Sequence, residues 1–174
     1  MPRRSIALAL CLTALCLTLL AAPPAAPAQD VLQTNKDLVR GFFKAMITND
    51  QQALPRFFAQ GYQVVEIGLP DAPAPPLKSH ISPDFRVRAG HLHQALTNLS
   101  LSISALVAEG GQVVAQVTLT GTHRGEFLGV VATGRRLSLH AMVIFEIENG
   151  RITKTTELLD MLGTMRQLGY IKLD

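Results

Sequence analysis

The sequence predicts an α+β fold in which helices come first and cover one face of an antiparallel sheet. Apolar residues recur at helical spacing near the start of the chain, and short β-rich segments separated by glycine or Asn-Gly follow residue 99. With 174 residues, 48% of them hydrophobic and 17% charged, the chain suits one globular domain with a buried core. Because an uncovered sheet would leave apolar residues in water, the helices should pack on it.

Residues 1–28 have the pattern of a secretory signal peptide. Arg3 and Arg4 precede an apolar stretch, Ile6–Ala21, and Ala26-Pro27-Ala28 forms a small-residue cleavage site. The apolar stretch is shorter than the roughly 20 residues that a membrane-spanning helix needs. We therefore expect an exported protein, periplasmic or secreted, with no membrane association after cleavage and a mature domain over residues 29–174.

Cleavage at this site changes both the charge and the cysteine content. Arg3 and Arg4 leave with the leader, so the formal net charge falls from +3 to +1. No basic stripe remains, and we expect no nucleic-acid binding. Cys11 and Cys16 leave as well, so the mature chain should have neither a disulfide nor a cysteine nucleophile.

The first half of the mature chain is predicted to be mainly helical, with one short strand. Five prolines between Gly68 and Pro83 oppose regular hydrogen bonding and predict a long loop. The predicted elements are a helix over 32–48, a shorter helix that Asn49-Asp50 opens and Gly61 ends, a strand over Tyr62–Ile67, the loop, and a helix over 84–96.

The second half is predicted to be a meander of strands and a closing helix. Each strand is short, apolar and bounded by turn residues, which is typical of antiparallel hairpins. The predicted strands are Leu99–Ala108, Gln112–Thr122, Arg136–Ile147 and Arg151–Leu159, and the helix is Met161–Leu168.

Several motifs stand in register along the chain. They are Gly121–Gly129 (GTHRGEFLG), Thr133–Arg136 (TGRR), Glu148–Arg151 (ENGR), Asp160–Gly169 (DMLGTMRQLG) and, more loosely, Asn35–Arg40 (NKDLVR). In order and spacing these segments resemble the SnoaL-like polyketide cyclase family of the NTF2-like superfamily.

The resemblance implies the NTF2-like cone, a curved sheet with helices closing its open side and an apolar pocket inside. It also implies a homodimer through the outer face of the sheet. Family enzymes close a carbon ring with a pocket acid as general acid and base, without cofactor or metal, so the expected partner is a small apolar ligand or carbonyl substrate. A non-catalytic ligand- or partner-binding protein and a structural dimerisation domain are the alternatives, because one fold serves many functions.

Glu157 occupies the position that, by the resemblance, belongs to the single pocket acid. The histidine and tryptophan that relatives carry just before it are threonines here. The face of the sheet on which Glu157 lies depends on the preceding turn. A three-residue Glu148–Gly150 loop with a bulge places Glu157 on the same face as the apolar residues of the neighbouring strand. A two-residue Asn149-Gly150 turn places it on the same face as His140. We prefer the bulged turn. A carboxyl in an apolar pocket exchanges its proton nearer neutral pH, whereas a solvent-facing Glu157 would be an ordinary strand residue.

Several other residues are candidates for ligand contact. The resemblance and the strand alternation favour an interior position for some of them, and solvent exposure is the alternative for the polar ones at strand ends. The candidates are Val143, Phe145 and Thr155 on the interior face, His123 and Arg124 at a strand end, and Glu66 at the end of the first strand.

For Asp160 we predict a structural role, and for the histidines His91 and His93 we predict no role in metal binding. Asp160 starts the final helix, where its carboxylate can cap backbone amides, and a role as second catalytic acid is the alternative. His91 and His93 are two apart on a predicted helix and point to different sides, whereas helical metal ligands lie three or four apart. We expect no metal and no cofactor.

Overall fold

The computed structural model describes residues 28–67, Ser82 and residues 84–171. The predicted signal peptide and most of the proline-rich loop lie outside the described residues. No helix within the described ranges is both long and apolar enough to cross a membrane. The elements are α1 (Ala28–Ile47), a 3₁₀ helix (Leu54–Phe57), β1 (Phe58–Ile67), α2 (Phe85–Ala95), β2 (Leu96–Glu109), β3 (Gln112–His123), β4 (Arg136–Glu148), β5 (Arg151–Leu159) and α3 (Met161–Leu168).

The strands form one sheet in the order β1-β5-β4-β3-β2. The four strands from β2 to β5 are an antiparallel meander, which confirms the α+β class and the predicted hairpins. β1 pairs with β5 in parallel, which the sequence did not predict. A parallel neighbour requires a long connection, and here the chain between the two strands includes α2 and the other three strands.

The predicted helix between Asn49 and Gly61 is wrong. The Asp50 Oδ1 atom accepts the backbone N–H of Ala53 at 2.9 Å, and this turn leads only into the four-residue 3₁₀ helix. β1 then begins at Phe58. Gly61 has a φ of 73°, inside the irregularity of β1 between Phe58 and Gln63. It therefore allows the strand to bulge and does not end a helix.

The preferred three-residue turn between β4 and β5 is also wrong. Glu148 pairs with Arg151, and Asn149 and Gly150 both have positive φ angles, 51° and 70°, as a two-residue type I′ turn requires.

A β-bulge further along β5 restores the predicted orientation of its side chains. Ile152 pairs with Ile147 and Lys154 with Glu146, so Thr153 is an extra residue, and its hydroxyl donates to the Glu146 carbonyl at 3.2 Å. The bulge reverses the alternation along the strand. The residues that follow it with odd numbers, Glu157 among them, therefore lie on the concave face.

Helices α1 and α2 and the 3₁₀ helix cover one end of the concave face, where an aromatic cluster forms the core. The ring centroids of neighbouring members are 4.5 to 6.3 Å apart. Edge-to-face and offset contacts at such distances are favourable beyond area burial. The aromatic cluster consists of Phe42, Phe43, Phe57, Phe58, Tyr62, Phe85 and Phe145.

Helix α3 covers the other end of the sheet, over the part of β4 that β5 does not reach. β5 ends opposite Ala141, and beyond it the Gln167 side chain accepts from Ser138 N at 2.7 Å and donates to Ser138 O at 2.8 Å. The Gln167 amide thus replaces a strand neighbour. The second core under α3 is made of Ala95, Leu96, Leu119, Leu128, Leu137, Leu139, Met165 and Leu168.

Candidate active site

Two glutamates lie side by side on the concave face of the sheet. The parallel pairing of β1 and β5 sets Glu66 directly opposite Glu157, and Glu157 is in turn opposite Val143 of β4. The two glutamate side chains are 16% and 17% exposed. Glu157 thus has the interior orientation that the sequence analysis preferred, and Glu66 faces inward and not the solvent.

Arg88 of α2 binds this pair of acids. Its Nη1 and Nη2 atoms donate to the two carboxylate oxygens of Glu157 at 3.0 and 2.5 Å, and Nη2 lies 3.7 Å from Glu66 Oε1. The guanidinium carbon also lies 4.6 Å from the ring centroid of Phe85, a cation–π distance. Glu157 is therefore not the single pocket acid that was expected, because it shares a cation with a second acid.

Helix α2 places Arg88 where the sheet can reach it. The side chain of Asp84 caps the helix by accepting from Arg86 N at 2.9 Å. Phe85 and Arg88, three residues apart, lie on the same helix face. Phe85 is buried in the aromatic cluster, so the helix face that carries it also directs Arg88 toward β5.

Thr155 and Tyr62 complete the surroundings of the acids. The fully buried Thr155 donates its hydroxyl to Glu157 Oε1 at 3.1 Å. Tyr62 lies on β1 four residues before Glu66, on the same face, with its ring against Phe58 and Phe85. Burial raises the pKa of Tyr62 to about 12, so its phenol is neutral at physiological pH. We call Glu66, Arg88, Glu157, Thr155 and Tyr62 the acid cluster.

The charges of the acid cluster are unevenly compensated. Burial raises the pKa of Glu66, the negative charge of Glu157 adds to that rise, and Arg88 opposes it without cancelling it. For Arg88, burial alone would lower the pKa, but attraction to Glu157 and then to Glu66 outweighs burial and raises it. The guanidinium therefore stays charged, and Glu66 binds a proton more readily than an exposed glutamate does.

An open groove of about 630 Å³ contains Tyr62 of the acid cluster in its lining, whereas the carboxyl groups of Glu66 and Glu157 do not line it. Its lining includes aromatic, arginine and aspartate side chains. Sites for small molecules commonly have volumes of roughly 300–1,000 Å³. The lining residues are Leu54, Pro55, Phe58, Ala59, Gln60, Gly61, Tyr62, Asp84, Phe85, Arg86 and Arg151.

His123, a predicted ligand contact, is completely buried at the end of β3. The Thr133 backbone N–H donates to its Nδ1 atom at 3.3 Å, so the proton of the neutral ring is on Nε2. Burial lowers the pKa of His123, which favours that neutral ring. Nε2 is buried and has no hydrogen-bond partner among the described residues. Arg124, by contrast, is exposed.

The structure does not bring His123 and the acid cluster together. Glu157 pairs with Val143, and Val143 pairs with Ala115 of β3. His123 lies eight residues further along β3, which is about 26 Å of extended strand. The predicted site residues therefore fall into two groups at opposite ends of the sheet.

The other predicted site residues have structural surroundings. Val143 and Phe145 are buried, Phe145 within the aromatic cluster. Asp160 is exposed and caps α3, where its Oδ1 atom accepts from Gly163 N at 2.8 Å. The Nε2 atom of His93 contacts the Met46 carbonyl at 3.0 Å. In the part of the chain that the structure describes, no group of three or more histidine, cysteine or acidic residues could hold a metal ion.

Sequence reasoning missed Arg88 and Tyr62. A signal for Arg88 was present, because it lies three residues after an apolar aromatic residue on a predicted helix and so shares its buried face. Tyr62 alternates with Glu66 on the predicted first strand and therefore shares its face. Neither of these two patterns shows that α2 packs against β1 and β5 at the site. The two strands are neighbours only because they pair in parallel, and the sequence did not predict that pairing.

Comparison with known proteins finds relatives in one family. A sequence model of the SnoaL-like polyketide cyclases matches residues 36–168. Aklanonic acid methyl ester cyclase DnrD from Streptomyces peucetius is 42% identical over 60 residues, which are 34% of this chain and 41% of DnrD. The matched region thus spans less than half the length of that relative.

Solved structures share the whole architecture. AclR from Streptomyces galilaeus superposes with a TM-score of 0.68 at 22% identity, covering 82% of this chain and 89% of AclR. TsrD from Streptomyces laurentii superposes with a TM-score of 0.66 at 28% identity, covering 80% of this chain and 97% of TsrD. The predicted cone-like fold with its curved sheet is confirmed.

Proposed function

Because this chain belongs to the SnoaL-like polyketide cyclase family, we propose that it is a cofactor-free enzyme of the cyclase type that acts on a small apolar carbonyl compound. The observation that carries this proposal is the pair of inward-facing carboxyl groups, Glu66 and Glu157, with one guanidinium between them. Acid and base catalysis needs a group that both takes and returns a proton near neutral pH. Two partly buried acids that share one cation provide such a group.

The proposed reaction begins with removal of a proton from the carbon next to a carbonyl group. The C–H bond breaks, the proton bonds to a carboxylate oxygen of the acid cluster, and the electron pair moves to the carbonyl oxygen as an enolate. The enolate carbon then attacks a second carbonyl carbon of the same molecule, and the carboxyl returns its proton to the resulting alkoxide. Atoms and charge balance without any cofactor.

The apolar body of the ligand is proposed to lie in the groove beside Tyr62. Phe58 and Phe85 line the groove there, and their rings stack on each other with centroids 4.6 Å apart.

The proposal predicts that the acid cluster catalyses hydrogen exchange at carbon. Aklanonic acid methyl ester, the compound named for DnrD, serves as the probe in D₂O, and NMR follows the loss of its acidic C–H signals. Wild-type protein should accelerate the exchange, and the double variant Glu66→Gln, Glu157→Gln should reduce that acceleration roughly 10²–10⁴-fold. Glu109→Gln, at an exposed acid on β2, is the control and should match wild type.

Full acceleration by the double variant would contradict the proposal. Circular dichroism of each variant establishes that it is folded before rates are compared. Acceleration by wild type that is lost in the double variant and kept in Glu109→Gln supports acid and base catalysis at this cluster.

The alternative is a non-catalytic binding protein, and one observation favours it. Both oxygens of Glu157 are held by Arg88, and aromatic rings fill the concave face beside them. In that case the wild-type protein binds the ester in calorimetry but does not accelerate exchange, and the double variant binds it equally well.

We further propose that the protein acts outside the cytoplasm and as a homodimer. Export rests on the leader pattern over residues 1–28. The dimer rests on an apolar convex face, where Ile67 pairs with Leu158 and Leu158 with Met142 across three strands. These three side chains are 52%, 47% and 44% exposed, a contiguous apolar patch that a second copy of the same sheet could cover.

A further inference from the structure

We propose that Glu66, and not Glu157, holds the transferable proton of the acid cluster, and that Glu157 and Arg88 are positioning residues that set its proton affinity. This inference rests on the proposed function, because it assumes that the acid cluster is where the proton is exchanged. The family resemblance gives the role of pocket acid to Glu157, so this assignment departs from what the resemblance implies.

The sheet places the two carboxyl groups as direct neighbours. Glu66 and Glu157 are register partners on parallel strands, and adjacent strands lie about 4.8 Å apart. Both side chains point to the concave face and are less than a fifth exposed. Two carboxylates so close and so poorly solvated resist ionising together, so one of them has the higher affinity for a proton.

The hydrogen bonds decide which acid stays ionised. Glu157 accepts two bonds from Arg88 and a third from the Thr155 hydroxyl, and all three stabilise its charged form. Within the described residues, Glu66 approaches Arg88 only to 3.7 Å, which is beyond hydrogen-bond distance. The proton of the pair therefore resides on Glu66.

The other charged and titratable groups around Glu66 agree with this assignment. Facing it in the described part of the chain are Arg88 from α2, Glu157 from β5 and Tyr62 from its own strand, with Asp84 beyond Tyr62. Burial and Glu157 raise the pKa of Glu66 more than Arg88 lowers it. Tyr62 stays neutral and does not compete as a base.

Arg88 also explains how Glu66 can give up its proton. When Glu66 ionises, a movement of about 1 Å would bring Arg88 Nη2 from 3.7 Å to the 2.7–2.9 Å typical of charge-assisted bonds. The guanidinium can then serve Glu66 through Nη2 while Nη1 keeps its bond to Glu157. Before the reaction, Glu66 releases its proton to water. As a carboxylate it then takes the proton from carbon, and as an acid it returns that proton to oxygen.

Infrared spectroscopy of the full chain tests this assignment without any substrate. Spectra are recorded as the pH rises above the range in which exposed glutamates titrate, and the C=O stretch of a protonated carboxyl is followed. Wild type should lose such a band within this range, and Glu66→Gln should lack it. Glu66→Asp, which keeps a carboxyl at the site, should retain a band at a shifted pH.

Substitutions of the two positioning residues, Glu157 and Arg88, should shift the pH at which the carboxyl band titrates in opposite directions. A purely structural role of these residues would not produce opposite shifts. Glu157→Gln removes a negative neighbour and frees Arg88 for Glu66, so the band should titrate at lower pH. Arg88→Met removes the cation, so the band should titrate at higher pH. Glu109→Gln is the control and should leave the band unchanged.

A band that persists in Glu66→Gln and disappears in Glu157→Gln would assign the proton to Glu157 and overturn the proposal, as would the lack of any band in wild type. Because this measurement needs no reaction, its outcome is independent of the exchange assay. If the protein catalyses hydrogen exchange and the band is unchanged in Glu66→Gln, the proposed function stands and this assignment is wrong.

Discussion

Arg88 brings the positive charge of α2 to the two glutamates of the sheet. Its side chain is 20% exposed, so the pair with Glu157 lies between the weak surface pairs and the strongly coupled buried ones. Removing one partner of such a pair costs more than forming it gains, because the other partner stays partly buried without compensation. The stability of the protein should therefore depend on Arg88.

Replacing Arg88 by methionine should destabilise the protein in a pH-dependent way. Loss of the charged hydrogen bonds should lower the free energy of unfolding at pH 7.5 by about 1.5–3 kcal/mol. Without the cation the pKa of Glu66, already raised in the folded protein, rises further. An acid whose pKa is raised on folding adds stability below its unfolded pKa and loses it as the pH rises through the folded value. The loss should therefore be smaller at pH 5 than at pH 7.5.

Urea unfolding at the two pH values measures this difference. Arg86→Met is the matched control, because Arg86 pairs with Asp84 at the surface, where their side chains are 53% and 38% exposed. A pair that is so exposed contributes little to stability, because water screens its charges. An equal loss for Arg88→Met at both pH values would show that packing, and not charge, explains the effect.

At the scale of elements, the β4–β5 hairpin sets which face Glu157 occupies. A regular strand after the type I′ turn would direct Glu157 to the convex face, and the bulge at Thr153 directs it inward. The turn depends on two residues with positive φ, a conformation that glycine adopts freely, asparagine adopts more readily than most residues, and other residues adopt rarely. The position of the acid therefore follows from local backbone geometry at two points.

The turn can be tested by changing its glycine. Gly150→Ala places a β-carbon at a φ of 70° and should lower the free energy of unfolding by about 1–2 kcal/mol. Gly90→Ala is the matched control, because Gly90 lies in the middle of α2 and a β-carbon added there would contact, among the described residues, nothing beyond the backbone of its own helix within 4 Å. That change should stabilise the protein by about 0.5–1 kcal/mol. Thermal or urea unfolding gives both values, and equal signs would contradict the account of the turn.

At the scale of the whole molecule, the sheet presents different chemistry on its two faces. The concave face holds the aromatic cluster, the second core and the acid cluster. The convex face carries exposed apolar residues from three adjacent strands, at Ile67, Leu158 and Met142. Exposed apolar patches of this kind mark interaction surfaces. A homodimer that covers the convex face leaves the acid cluster free.

Leu158→Lys should convert the proposed dimer into a monomer. A lysine at the centre of the patch would place an unpaired charge in each half of the interface. Leu162→Lys is the control, because Leu162 is 55% exposed on α3 and lies away from the convex face. Native mass spectrometry of protein recovered from outside the cytoplasm reports both copy number and the start of the chain. A monomeric wild type, or a chain that still contains residues 1–28, would contradict the corresponding proposal.

The sequence by itself determined the class of the fold and most of its elements. Apolar alternation located β3, β4 and β5 to within a residue or two, and the bounds of α3 were predicted as they are observed. The position of Asp160 at the start of the last predicted helix identified it as a helix cap, and strand alternation identified Val143 and Phe145 as interior residues. These features follow from interactions between residues close in sequence or from strict periodicity, which the order of residues encodes directly.

Only the tertiary structure decided the composition of the acid cluster. Glu66, Arg88 and Glu157 lie on three elements that are distant in sequence, and they meet because β1 joins the far edge of the sheet in parallel. The inward orientation of Glu157 was predicted from a turn that the structure does not have. The bulge at Thr153 gives the same orientation, because it reverses the alternation of side chains along β5. The balance of charge between the two acids depends on distances of a few ångströms, and such distances arise only when separate elements pack together.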